Sequence, residues 1–349
     1  MPEETSQVRN GVPPAFTGVI APMYTPVNAD GSLDESAVSE LVEWHADCGC
    51  VNTLFARSGM GKMFTFTVEE TRRFATLVRD ANRGRMGLLV GAAGEWPDRE
   101  RGGRADEETY VRQAIELTRF IGAIGADGAV HILPEPVDPR PNETHADLVY
   151  RYYRTVHDAT DVPIILYQPG GMPEPYRLTP ALMERLLELP RIAGLKLSTT
   201  DDAVFGPIAA VTRRRPFALI CGHEGYYAAG LRQGAVGVIG QGCNGYPEIL
   251  AAAEKRQRDG DDAGADRAMA DVWEALHTTD GVDSSVALKQ YMARHGYAIQ
   301  PYDRSGTRPS DDATIDRIAH RLDAMRAPYR DELGVAPLGM RRSSATGGQ

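Results

Sequence analysis

Cysteine is scarce in this chain. The four present (Cys48, Cys50, Cys221, Cys243) among 349 residues are too few and too irregularly spaced for a disulfide framework. Cys48-Gly49-Cys50 has no second Cys or His pair at zinc spacing, so structural thiols are the simpler reading. Long apolar runs are also missing: nothing approaches the roughly 20 residues a spanning helix needs. Residues 1–10 carry Glu3 and Glu4 before any apolar stretch and so lack the basic and apolar regions of a secretory signal, which makes cytoplasm the expectation. Positive charge is in deficit, 38 Lys and Arg against 48 Asp and Glu, for a net charge of −10. Such a field repels polyphosphate and anionic headgroups, so neither nucleic acid nor membrane is an expected partner.

What is present is ordinary core-forming material. Hydrophobic residues make up 42% and charged residues 25%, the usage of a soluble globular chain and not of a disordered one. Short apolar runs at 18–21, 51–56, 86–91, 128–133, 164–167, 193–196, 218–221 and 237–239 alternate with amphipathic stretches of helical period. Ser32 with Glu35 and Thr67 with Glu70 have capping-box spacing, and Thr179-Pro180 fits an N-cap followed by N1. The strands read as continuous apolar runs, as parallel strands covered on both faces do. Eight such units predict a (β/α)8 TIM barrel over 16–250, after an N-terminal arm at 1–15. Helical stretches at 247–258, 262–277, 284–295 and 311–325 predict a small C-terminal helical extension, 251–330, ahead of a disordered tail, 331–349. The charged, Gly-rich insert 95–104 follows the third strand and is expected on the barrel's C-terminal face.

Functional side chains of such a barrel come from the C-terminal ends of strands and the loops just beyond. Lys196 ends the sixth apolar run. Burial disfavours the charged form of a lysine and makes its amine a nucleophile able to form a Schiff base; the alternative is a lysine snorkelling to the rim. Tyr167 ends the fifth run, one strand away, where a phenol can shuttle a proton or simply be a half-buried core residue. Gly61-Lys62 is not a P-loop, because Ala56 and Met63 stand where Gly and a hydroxyl residue are required. His131, and His223 with Glu224, have no third partner at metal spacing; they read as polar pocket lining, and no metal is expected.

With these residues in place, the chain resembles the dihydrodipicolinate synthase and N-acetylneuraminate lyase family of pyruvate-type class I aldolases over about 16 to 295. The resemblance is carried by Val19-Ile20-Ala21-Pro22-Met23-Tyr24-Thr25-Pro26 with Asp30-Gly31-Ser32, Thr65-Phe66-Thr67, Gly125-Ala126-Asp127-Gly128, Pro163 with Tyr167, Gly194-Leu195-Lys196, and Gly237-Val238-Ile239 with Cys243-Asn244 and Pro247. It implies a covalent imine between Lys196 and a small 2-oxo acid without further cofactor, Tyr167 as acid and base, and a homo-oligomer, tetramer or dimer. It also implies that the loop after the second strand holds the substrate carboxylate. That loop reads Ser58-Gly59-Met60-Gly61-Lys62 where the family usually has Gly-Thr-Thr-Gly-Glu. Ser58, the backbone at Gly59 and Met60, and Ile239 are therefore the carboxylate candidates, and Ser198, Gln168, His131 and His223 the candidates for specificity.

The departures have consequences. Both threonine hydroxyls are absent, no arginine follows Tyr167 in Gln168-Pro169-Gly170-Gly171-Met172, and Glu135-Pro136 replaces a tyrosine pair that crosses a subunit interface in the synthases. These differences argue for an aldolase or dehydratase other than a true dihydrodipicolinate synthase. The alternative is a catalytically silent barrel that keeps the lysine and serves as a ligand-binding or regulatory protein.

Overall fold

The computed structural model describes residues 11–97 and 99–338. Eight strands, β1 (Gly18–Pro22), β2 (Thr53–Ala56), β3 (Gly87–Gly91), β4 (Gly128–Ile132), β5 (Ile164–Gln168), β6 (Ile192–Leu197), β7 (Ala218–Cys221) and β8 (Gly237–Val238), form a closed barrel in chain order. All neighbours are parallel, including β8 against β1, where Gly18 pairs with Gly237 and Val19 with Val238. The fold is thus a (β/α)8 TIM barrel, with strand bounds within two residues of those read from the apolar runs.

Helices α1 (Glu35–Asp47), α2 (Val68–Asn82), α3 (Glu107–Ala123), α4 (His145–Ala159), α5 (Pro180–Leu186), α6 (Asp202–Thr212) and α7 (Tyr227–Arg232) follow the first seven strands. After β8, the single turn α8 (Gly242–Gly245) leads into α9 (Pro247–Arg258), which completes the outer ring. The local chemistry explains these bounds. In α4, Thr144 and Asp147 form a reciprocal capping box, and Leu148, Val149, Tyr152, Tyr153 and Val156 recur at helical spacing on the buried face. Thr179 caps α5 ahead of Pro180 as expected. At α1 the cap is Asp34, which accepts from Ala37 N; Ser32 instead donates its hydroxyl to Asp30, so the expected Ser32/Glu35 box does not form. At α2, Thr67 accepts from Glu70 N, but the Glu70 carboxylate turns away to Arg304 and the box stays half made.

The extension contains α10 (Asp262–Leu276), α11 (Ser284–Arg294) and α12 (Asp312–Leu333). The last helix runs past the expected boundary at 330, to Leu333, and Arg330 Nε donates to Ala336 O at 2.8 Å, so the chain after the helix folds back on its end. The rest of the expected tail, and most of the expected N-terminal arm, lie outside the described residues. One buried carboxylate anchors the extension on the outside of the barrel. Glu248 of α9 accepts from Arg326 Nε at 2.9 Å and Nη2 at 2.7 Å and also pairs with Arg330. The Arg326 guanidinium lies 5.2 Å from the ring centroid of Trp44 on α1. Charges without water persist only when paired and hydrogen-bonded, so removing one partner strands the others.

Glu248→Gln is accordingly expected to destabilise the protein by about 3 to 5 kcal/mol in a urea or guanidinium titration, whereas Lys255→Ala, which removes an exposed ion pair with Asp259, is expected to stay within about 0.5 kcal/mol.

Candidate active site

Parallel strands in register present paired residues to the same side of the sheet. His131 of β4 pairs with Leu166 of β5, and Ile132 pairs with Tyr167, which in turn pairs with Lys196 of β6. His131 contacts the helices: one ring nitrogen lies 2.9 Å from Thr118 Oγ1 on α3 and the other 2.9 Å from Tyr152 Oη on α4. Its side chain therefore faces outward, and by alternation Ile132, Tyr167 and Lys196 face into the barrel. Both Tyr167 (8% exposed) and Lys196 (4% exposed) are buried. Lys196 Nζ lies over the phenol, 4.2 Å from the ring centroid, where the face of the ring is attractive to an ammonium.

The loop after β2 closes on this pair. An ideal Cβ at Gly59 would stand 3.1 Å from Tyr167 Oη, so glycine lets the backbone come against the hydroxyl where a larger residue would press on it. The loop is built under strain, with Arg57 (φ 51°) and Lys62 (φ 61°) both in the left-handed region that non-glycine residues rarely adopt. Side chains hold it there. The buried Arg57 guanidinium donates to Met63 O at 3.2 Å and to Ala93 O at 2.5 Å, and burial pushes its pKa down to about 10. Ser58 Oγ donates to Met23 O at 3.0 Å and accepts from Gly61 N at 3.1 Å. Thr25 Oγ1 donates to Gly61 O at 2.5 Å.

Three expectations are corrected by this geometry. His131 does not line the interior; it is a buried histidine in a hydrogen-bonded outer layer, and burial pushes its imidazole down to about 3. Gln168, next to Tyr167 in sequence, takes the opposite side of β5 and accepts from Leu178 N at 2.7 Å, latching the following loop. Ser58 spends its only hydroxyl proton on Met23 O, which leaves backbone groups as the loop's donors to an anion. The other candidates remain at the C-terminal face. Ser198 follows Lys196 by two residues and packs on Gly222. Ile239 is buried beyond β8, Met60 is half-buried, and His223 accepts from Gly225 N with its ring 5.5 Å from that of Trp273 at the rim.

Arg57 and Tyr246 were not among the sequence candidates, whereas Glu224 was read there with His223 as polar pocket lining. Arg57 carried a usable signal, since a charged residue directly after an apolar strand end is the pattern that drew attention to Lys196. Glu224 is buried and accepts from Gly242 N at 2.9 Å; it stands beside Tyr24, Tyr246 and Cys243. Burial and Glu224 together push the Cys243 thiol up to about 12, with Lys196 acting weakly the other way. Among the described residues no group of three or more His, Cys, Asp or Glu is placed to hold a metal ion. The arrangement offers an enclosed amine against the ring face of a phenol, and a backbone-lined loop at one barrel mouth.

Comparison with known proteins gives a consistent picture. The sequence profile described as the dihydrodipicolinate synthetase family matches residues 15–324. The chain is 31% identical over 279 residues to the 4-hydroxy-tetrahydrodipicolinate synthase of Rhodospirillum centenum, covering 80% of this chain and 87% of that one. It is 28% identical over 278 residues to the enzyme of the same name from Gluconacetobacter diazotrophicus, covering 80% and 86%. Among solved structures, N-acetylneuraminate lyase from Mycoplasma synoviae superposes with a TM-score of 0.74 at 20% identity, over 89% of this chain and 98% of that one. YagE, an E. coli K12 prophage protein of the dihydrodipicolinic acid synthase family in complex with pyruvate, also gives 0.74, at 24% identity over 89% and 98%.

The buried His131 predicts an acid-linked loss of stability. An unfolded histidine titrates near about 6.5, whereas the folded one titrates near 3, so between these values the unfolded state binds the extra proton and stability falls as pH falls. His131→Gln is expected to flatten that decline by up to about 1.4 kcal/mol per pH unit, read from denaturant titrations at pH 4 to 7.

Proposed function

The chain belongs to the dihydrodipicolinate synthetase family and is a lyase of the class I aldolase type, and from that premise we propose that it forms a Schiff base between Lys196 and a small 2-oxo acid. The observation that supports this reading is the register match of Tyr167 and Lys196 on adjacent strands, with the amine enclosed 4.2 Å from the phenol ring centroid. The amine attacks the C2 ketone, water leaves, and a protonated imine remains. Breaking a bond at the adjacent carbon sends its electron pair into the imine and produces an enamine. Tyr167 moves the proton that this step releases or consumes. The backbone of the loop at Gly59 and Met60, with Ile239 opposite, holds the carboxylate. Ser198 and His223 at the mouth contribute to the choice of substrate.

We further propose that the second half of the reaction differs from that of the relatives named 4-hydroxy-tetrahydrodipicolinate synthase. The segment after Tyr167 is Gln168-Pro169-Gly170-Gly171-Met172, with no arginine to grip a second carboxylate, and Glu135-Pro136 stands where those synthases carry a tyrosine pair. An aldol cleavage or a dehydration of the 2-oxo acid fits these differences. One observation favours a second reading: bare Gly59 faces the Tyr167 hydroxyl, so no loop hydroxyl relays its proton, as in a barrel that binds covalently without turning over. No helix among the described residues is long and apolar enough to cross a membrane. A homo-oligomer, tetramer or dimer, is part of the same proposal and is read by light scattering.

Incubation with pyruvate and a panel of 2-oxo acids, then borohydride reduction and intact mass, is expected to show one stable adduct per chain that disappears in Lys196→Ala. No adduct with any member of the panel refutes the proposal, and an adduct without cleavage, condensation or dehydration selects the silent barrel. Tyr167→Phe is expected to keep the adduct but slow deuterium exchange into the pyruvate methyl group, followed by proton NMR in D2O, by about 10² to 10⁴-fold.

A further inference from the structure

The segment 297–311 of the C-terminal extension runs along the β1–β2 side of the barrel's C-terminal face and touches the loops after β1 and β2. One contact reaches the strained loop 58–62 and the others flank it. Lys62 Nζ lies 3.6 Å from Asp303 Oδ2, and the Asp303 carboxylate, itself buried, is fixed by Ser305 N and Thr307 N at 3.0 Å each. Arg304 grips Glu70 at the start of α2 with both terminal nitrogens, one at 2.7 Å, and reaches Thr65 Oγ1 at 3.2 Å and Gly31 O at 3.2 Å. Its guanidinium lies 4.5 Å from the ring centroid of Phe66. From α11, buried Lys289 donates to Tyr302 O at 2.6 Å and to Thr25 O at 2.7 Å. Thr25 in turn holds Gly61 O through its hydroxyl.

A left-handed Lys62 is strained and persists only where its surroundings over-determine it. The barrel supplies that constraint at the Arg57 end of the loop. At the Lys62 end the local turn contributes through Lys62 N to Gly59 O and Thr65 Oγ1 to Lys62 O, and the extension adds to it: Asp303 takes the side chain, Arg304 fixes the segment that follows, and Lys289 ties the strap to the β1 loop. We propose that Asp303 and Arg304 are positioning residues for the Schiff-base reaction, which hold the loop 58–62 in the shape whose backbone amides bind the substrate carboxylate. This rests on the reading of Lys196 given above. It assigns the extension a part in substrate binding, and it assigns Lys62, which reverses the family's usual charge, a matched partner 241 residues away in sequence (303 minus 62).

The test compares two ketones, pyruvate and acetone, the second of which lacks a carboxylate. Borohydride-trapped adduct at Lys196 is titrated against each in the full-length wild type, Asp303→Asn, Arg304→Ala, Lys62→Met and the double variant Lys62→Met with Asp303→Asn. The expected result is a rise of about tenfold in half-saturating pyruvate for Asp303→Asn and Arg304→Ala, with limiting adduct unchanged and the acetone titration unmoved. The double variant is expected to be no worse than Lys62→Met, as for two residues acting through one contact. Unchanged pyruvate titrations overturn the proposal, and so do pyruvate and acetone titrations that shift together, which a general loosening of the fold produces. Thermal melts identify any variant that fails to fold; Asp303→Asn, which keeps size and one amide-accepting oxygen, carries the test if Arg304→Ala does not. Absence of a wild-type adduct overturns the Schiff-base reading and the strap's role with it, whereas a wild-type adduct with unmoved variants overturns the strap alone.

Discussion

The alignment of β5 with β6 sets Tyr167 beside Lys196 and turns both side chains into the barrel, and the chemistry proposed for this protein depends on that register. The Lys196 side chain has little contact with water there, and the phenol face lies against its Nζ. A slip of one residue would turn both groups out towards the helices and bring Leu166 or Gln168, and Leu195 or Leu197, to the interior. Closure of the barrel makes that slip costly, because all eight strands share one continuous ladder and the outer layer is packed to its own pattern. The bonds from His131 to Thr118 and Tyr152 belong to that outer pattern and pin β4 against α3 and α4.

Around this pair the protein places a loop that is tied from both the barrel and the extension. Two non-glycine residues in left-handed conformation bracket it, Arg57 and Lys62, and each is tied by charge or hydrogen bonds to groups outside the loop. Burial matters to how firmly each tie holds. The Arg57 guanidinium is enclosed and its bonds run to backbone carbonyls that cannot swing away, while Asp303 is fixed by backbone amides on its own turn before it meets Lys62. The C-terminal helices thus serve two purposes. Through Glu248 and its two arginines they lock onto the outside of the barrel, and through the segment between α11 and α12 they reach the loops after β1 and β2 at its C-terminal face.

The element pattern was legible because the forces behind it are local. Apolar runs marked all eight strands, Thr67 and Thr179 marked helix starts through their hydroxyls, and helical period marked the extension. The failures share one cause. Parallel strands covered on both sides are apolar on both sides, so alternation does not reveal which residues point inward. Lys196 and Tyr167 stood out by their chemistry at strand ends, but His131 and Gln168 had the same credentials and the opposite orientation. Capping was misread where a competing partner won: Asp30 took the Ser32 hydroxyl, and Arg304 took the Glu70 carboxylate from 234 residues away.

By itself the sequence determined the architecture, the family and the two groups on which the proposed chemistry turns, because periodicity, turn residues and a lone amine at the end of an apolar run are written in neighbouring positions. The tertiary structure decided the rest: which strand face each polar residue took, whether the Ser58 hydroxyl was free, and what held the loop at Lys62. Those outcomes are set by contacts between residues apart in the chain, such as His131 with Tyr152, Ser58 with Met23 and Asp303 with Lys62, which form only once the barrel has closed and the extension has folded back onto the loops after β1 and β2.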